Sequence, residues 1–191
     1  MKQSSPTFIV GFVVGVLTFL VLVGLLWVWV RRETAKEAQT RHQRECVELL
    51  KAAYAAQLGY RAELATFCGD FEALGFQPDR GNYGAYVLDR RGPVAERRTE
   101  RLAHVPRATV VGIDEFMWPK LSTKRVLEAL PPTFVGGVKE GLQGECPERC
   151  EVVIACATEL ETGIAVWSVA SFDRRDPRGG VIPAGQPAAE P

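Results

Sequence analysis

The chain predicts an α+β protein: a long N-terminal helix, half transmembrane and half amphipathic, packed on a small antiparallel sheet. Three observations carry this expectation. An uncharged apolar segment, Phe8 to Val30, runs without proline into a helical pattern that continues to about Ala65. Beyond it, four short runs rich in β-branched and aromatic residues are separated by Gly and Pro, as strands are by turns. A long helix followed by closely connected strands buries both apolar faces when the sheet lies on the helix.

Residues 1–7 form a short N-terminal flank. The segment 8–30 is 23 residues long and carries no charge. At about 1.5 Å per residue it reaches roughly 34 Å, enough for a hydrocarbon core of about 30 Å. Trp27 and Trp29 stand at its far end before Arg31 and Arg32, a membrane-interface pattern of aromatics followed by a charged stop. A secretory signal would show an apolar stretch of roughly 7 to 15 residues and a small-residue cleavage site, which the run Val-Trp-Val-Arg-Arg does not. The absence of Gly at position 2 and of a prenylation box leaves lipid anchoring unsupported.

Residues 31–45 are charged nearly all round and consist of good helix formers, the composition of a solvated stalk. From there Cys46, Leu49, Leu50, Ala53, Tyr54, Tyr60 and Leu64 recur at three- and four-residue steps, giving the helix a core face. A globular head is expected over 46–173. After Phe67 the helix signal stops, and Gly69, Gly75, Pro78, Gly81 and Gly92 mark a loop-rich region. The expected strands are Tyr83 to Leu88, Ala108 to Ile113, Val152 to Ala157 and Ile164 to Ala170. In the last of these Ile164, Val166, Ser168 and Ala170 share one face, and Ala165, Trp167, Val169 and Ser171 the other. Ser122 to Leu130 reads as a short helix stopped by Pro131-Pro132. Residues 174–191 offer little to bury and are expected to be a disordered tail.

Of 191 residues, roughly 140 remain for the head, room for a single core. Lys plus Arg and Asp plus Glu number 23 each, so no basic balance points to nucleic acid. Five cysteines, in an oxidising compartment, give two bridges and one spare thiol. The disulfide candidates are Cys68, Cys146, Cys150 and Cys156. Were the helix to continue from Cys46 to Glu63, it would separate those two by roughly 25 Å, while the five residues on to Cys68 reach back at most about 17 Å. Cys46 therefore cannot bridge Cys68. The partner of Cys68 lies in the distant trio, unless that trio pairs within itself as Cys146 with Cys150. A zinc site would need Cys146, Cys150 and Cys156, with His104 as a fourth ligand, but Cys-x3-Cys fits ligand spacing loosely. No metal and no cofactor are expected.

Nor does the chain show catalytic chemistry. His42 lies in the stalk and His104 in a loop, neither within a nucleophile motif. Gly136-Gly137 and Gly179-Gly180 lack the context of a phosphate loop, Glu159 and Glu161 read as a polar turn before a strand, and Trp118 and Trp167 as core or core-edge residues.

Two blocks of sequence resemble the type IV pilins. One is Leu50-Lys51-Ala52-Ala53-Tyr54 with Tyr60 and the run Ala73-Leu74-Gly75-Phe76-Gln77-Pro78-Asp79-Arg80-Gly81-Asn82-Tyr83, similar to that family's helix end and first loop. The other, Val166 to Arg174, is similar to its last strand. The resemblance covers roughly residues 35 to 174 and implies a helix that is half anchor and half scaffold, with the head outside the cytoplasmic membrane. The chain departs from the family in its first part. Pilins carry a basic leader, a Gly-Phe junction and a glutamate at the fifth residue beyond it. Here the nearest junction is Gly11-Phe12, preceded by apolar Thr-Phe-Ile-Val, and the fifth residue is Val16. An intramembrane carboxylate is tolerated where it can pair with a neighbour's terminal amine, and that pairing is missing. The thinned acidic turn from Ala157 to Gly163 argues against carrying over metal binding.

Charge gives the opposite orientation signal, since Arg31, Arg32, Lys36, Arg41 and Arg44 all follow the apolar segment and the positive-inside rule would hold them in the cytoplasm. The resemblance and the cysteines favour a periplasmic or extracellular head on a single pass through a bacterial inner membrane. The expected function is that of a membrane-anchored, noncatalytic structural or accessory component of a type IV pilus or related secretion system. Its partners would be membrane lipid and other pilin-like subunits or pilus assembly proteins, not nucleic acid. The alternative is a permanently anchored binding or sensory domain of pilin-like fold that does not polymerise.

Overall fold

The computed structural model describes residues 6–97, 99 and 104–191, except the side chains of 6–16, 18 and 35. The chain falls into two compact units, one ending at Thr40 and the other running from Arg41 to Pro191. Helix α1 (Pro6–Leu64) supplies the described part of the first unit and begins the second. In the first unit every apolar side chain from Phe19 to Val30 is exposed. Among the described residues no helix is long and apolar enough to cross a membrane. Within the expected span, Phe8 to Val30, the side chains of 8–16 and 18 lie outside the described ones.

In the second unit Cys46, Leu50, Ala53 and Gln57 are fully buried, the i, i+4, i+7, i+11 stripe of a helix with one face on a core. Leu64, expected on that face, is exposed. Gln57 stands where the pattern calls for an apolar residue, because its amide bonds both the N–H and the C=O of Cys68, each at 2.8 Å. A buried amide so satisfied ties the post-helix loop back onto α1. The helix itself ends where Ala65 enters the left-handed region at φ 58°, with its N–H on the Arg61 carbonyl, a C-terminal cap.

The head's strands are β1 (Gly84–Val87), β2 (Val94–Ala95), β3 (Val110–Val111), β4 (Gly141–Gln143), β5 (Glu151–Leu160), β6 (Gly163–Ala170), β7 (Arg174–Arg175), β8 (Val181–Ile182) and β9 (Ala188–Ala189), with α2 (Thr123–Glu128) between β3 and β4. The main sheet has the order β2-β3-β1-β5-β6-β9, with β4 also on β5. It is larger than expected, and mixed rather than purely antiparallel, because β2 pairs parallel to β3. The long run expected over Ala108 to Ile113 is a strand only at Val110–Val111. At its ends the Ala108 carbonyl accepts the Phe71 N–H and the Ile113 N–H goes to Thr123 Oγ1, so loops and α2 take the ladder bonds.

Both faces of the sheet are covered, which is why β5 reads as a continuous apolar run. Val152, Ile154 and Cys156 face α1 with Tyr86, Trp167 and Val169. Val153, Ala155 and Ala157 face Val126 of α2 with Leu130 and Phe134. The two faces of β6 divide as its alternation implies, Val166 and Ala170 toward α2, Trp167 and Val169 toward α1. β1 and β4 share one edge of β5 end to end, opposite Ala155 to Thr158 and Glu151 to Val153. Gly141, at φ 101°, permits this, since a Cβ there would stand 2.8 Å from the Leu88 carbonyl oxygen.

The expected disordered tail is corrected by the structure. β7 and β8 form a hairpin, and β9 pairs with β6 through Trp167↔Ala189 and Ser168↔Ala188. Composition hid this because the segment is held by polar side chains: Glu190 accepts from Ser168 and from the Val135 N–H, and Arg174 donates to the Ser168 carbonyl at 3.1 Å.

Candidate functional site

On the first unit's helix the expected interface residues form a local group. Trp27 and Trp29 are exposed, and the Arg31 guanidinium lies 3.8 Å over the Trp27 ring, a cation–π contact. Arg32 is exposed beside it. Phe8 to Val30 contains no carboxylate. Lys36 pairs with Glu33 at 2.9 Å one turn on.

The second unit holds an aromatic ladder that sequence reasoning missed. His42 stacks on Tyr83 with ring centroids 3.7 Å apart, and Tyr83 stacks on Trp118 at 4.4 Å. Four hydrogen bonds set it: Glu45 accepts the Tyr83 N–H, Trp118 donates to the Gly81 carbonyl, and fully buried Asp114 accepts the Gly81 and Met117 N–H groups. Sequence spacing carried no signal, because the rings come from α1 and two separate loops.

His42 Nδ1 is buried with no hydrogen-bond partner among the described residues. Burial pushes the imidazole below its ordinary value, a hydrogen bond to the Glu159 backbone opposes this, and Arg41 reinforces it. The folded state therefore binds fewer protons here than the unfolded chain. This contribution is full above about pH 6.5 and declines as pH falls through the unfolded value toward the lowered one. His42→Phe, which keeps the stack and removes the titration, is expected to flatten the fall in urea-unfolding stability below about pH 6.5. An unchanged slope would show that His42 does not titrate differently on folding.

The cysteines pair as Cys46–Cys156, across a separation of 110 residues, and Cys146–Cys150. Cys68 is a buried free thiol, which corrects its place among the disulfide candidates. Its S–H donates to the Asp70 carbonyl at 3.1 Å. Cys46, left out of the candidates, bonds the central strand of the sheet that lies on its helix face. Gly84 makes room for that bridge: a Cβ there would stand 2.7 Å from Cys156 Sγ and 2.9 Å from Cys46 Sγ. The zinc combination is dispersed, since His104 pairs with Glu72 at 3.4 Å and all three of its cysteines are in disulfides. Among the described residues no group of three or more His, Cys, Asp or Glu is placed to hold a metal.

The family model for type IV pilin PilA matches residues 38–162. The chain belongs to the type IV pilin PilA family. The matched stretch takes in the packed half of this pilin's α1, the aromatic ladder and both disulfides, and stops before β6. The resemblance noted at Val166 to Arg174 lies beyond it. No curated protein matches the chain. Membership of the family makes it a pilin-like structural component, associated with a pilus of the cell envelope and with other pilin subunits or pilus components.

Proposed function

We propose that this pilin is a membrane-anchored, noncatalytic structural or accessory component of a type IV pilus or related secretion machine. The observation that carries this is the family match over a head whose scaffold helix α1 also contains the uncharged segment Phe8 to Val30. A row of exposed apolar side chains from Phe19 to Val30 needs a cover of lipid or protein. The uncharged stretch is long enough for lipid, with Trp27, Trp29, Arg31 and Arg32 at the interface. Two disulfides favour a head on the oxidising side of a bacterial inner membrane, periplasmic or extracellular. The second reading, an anchored binding or sensory domain that does not polymerise, is favoured by one observation: Val16 stands where assembly would use a carboxylate.

An accessory role predicts that the chain stays in the membrane fraction after shear and that intact-protein mass spectrometry finds residues before Phe12 still attached. Abundant sheared filaments whose subunits begin at Phe12 would make it a main fibre subunit instead.

A further inference from the structure

The two disulfides differ in their access to solvent. Cys46 and Cys156 are both 0% accessible and are joined across a separation of 110 residues. Cys146 is exposed and Cys150 only 4% accessible, and their bridge closes the loop between β4 and β5 across a separation of four. A reagent in solution therefore meets this bridge at Cys146 alone.

On one side Cys150 belongs to the core that also holds Phe67. On the other it lines a cavity of about 340 Å³ with Arg61, Arg149, Glu151 and Ser171. Arg61 is seated there by its place 4.8 Å over the Phe67 ring. Two guanidinium groups against one carboxylate make this wall cationic, and the remaining acids of the loop, Glu145 and Glu148, do not line it. A thiolate beside arginine is stabilised, which makes it the better leaving group in disulfide exchange.

The surrounding fold can survive the opening of this bridge. β4 stays paired with β5 from Gly141↔Val153 to Gln143↔Glu151, the Arg149 N–H bonds the Glu145 carbonyl at 2.8 Å, and Cys46–Cys156 still ties α1 to the sheet. Nor does the spare thiol compete from within. Cys68 is buried with its S–H on the Asp70 carbonyl, and burial pushes its pKa up, so little of it is the reactive thiolate.

We propose that Cys146–Cys150 is a thiol–disulfide exchange site, opened by an external thiol at Cys146 with Cys150 leaving beside Arg61 and Arg149. The incoming thiolate sulfur bonds Cys146 Sγ, the Sγ–Sγ bond breaks, and its electron pair departs on Cys150, so one disulfide is exchanged for a mixed one. A second thiolate then bonds the external sulfur and expels the Cys146 thiolate. The external thiols end as a disulfide, and the two electrons they give up, with two protons from solvent, leave Cys146 and Cys150 as free thiols.

The test exposes the full-length chain in detergent micelles to glutathione at neutral pH, followed by acid quenching, alkylation and peptide mapping. Cys146–Cys150 should open about a hundredfold faster than Cys46–Cys156 or more, with the glutathione adduct on Cys146 and near-ultraviolet dichroism unchanged. Arg61→Gln with Arg149→Gln should slow the opening about fivefold or more and move its glutathione midpoint toward more reducing conditions, which a merely structural pair of arginines would not do. A separate arm with a reduced Cys-x-x-Cys protein tells a protein dithiol from a small thiol as the source. Equal opening rates for the two bridges, an adduct on Cys150, opening only on unfolding, or an arginine variant that opens as fast as wild type would each overturn the proposal.

Discussion

Replacing Cys46 and Cys156 together by alanine is expected to lower the head's unfolding free energy by roughly 3–5 kcal/mol. The bridge spans a separation of 110 residues, and in the chain-entropy account a loop of that length restricts the unfolded ensemble by about 4–5 kcal/mol. Both sulfurs are fully buried, so their removal also leaves a small void against Gly84 and Tyr86. The Cys146–Cys150 bridge, with a separation of only four residues, restricts far less, about 2 kcal/mol on the same account. Urea unfolding of the two double variants separates them. Equal losses, or a Cys46 and Cys156 variant as stable as wild type, would contradict the view that the long-range staple holds helix to sheet.

That staple marks the boundary of what was legible in the sequence. Periodicity located the packed face of α1, because Cys46, Leu50 and Ala53 are apolar and helically spaced. The same signal could not find Gln57, whose burial depends on both of its amide groups reaching Cys68 across a turn. The rigid-helix argument correctly separated Cys46 from Cys68, yet it compared distances within one element. The pairing of Cys46 is decided by which strand lies over the helix, and that is a property of sheet order. The central strands were visible as β-branched runs, whereas β2, β4, β7, β8 and β9 are two or three residues long and have no period to detect. The ladder of His42, Tyr83 and Trp118 was invisible for a related reason: each ring sits on a different segment, and a solvated reading of His42 was the natural one from a charged neighbourhood.

The last eighteen residues give the sharpest case and the second large expected effect. Glu190→Ala should destabilise the head by roughly 3–5 kcal/mol. The side chains of Arg174 and Glu190 are each only 1% exposed, with charged atoms 3.8 Å apart. Burial pushes the Glu190 carboxyl up and the Arg174 guanidinium down from their ordinary values; Ser168, the Val135 N–H and Arg174 oppose the first shift, and Glu190 opposes the second. Desolvation thus outweighs attraction in each case, and the pair contributes little net stability of its own. Removing one member is another matter: Arg174 would keep its charge in a buried site where, among the described residues, Ser168 alone receives its protons, and the Val135 N–H would lose its acceptor at 2.6 Å. Replacing both ions by apolar residues, Arg174→Met with Glu190→Leu, should recover much of the loss, since a buried pair can often be exchanged for well-packed hydrophobes. Urea unfolding measures the energies, and hydrogen exchange at the Glu190 amide, bonded to the Val166 carbonyl at 2.9 Å, reports whether β9 stays on the sheet. A Glu190→Ala loss below about 1 kcal/mol, with that amide still protected, would mean that backbone pairing alone holds the terminal strand and that the buried charges only accompany it.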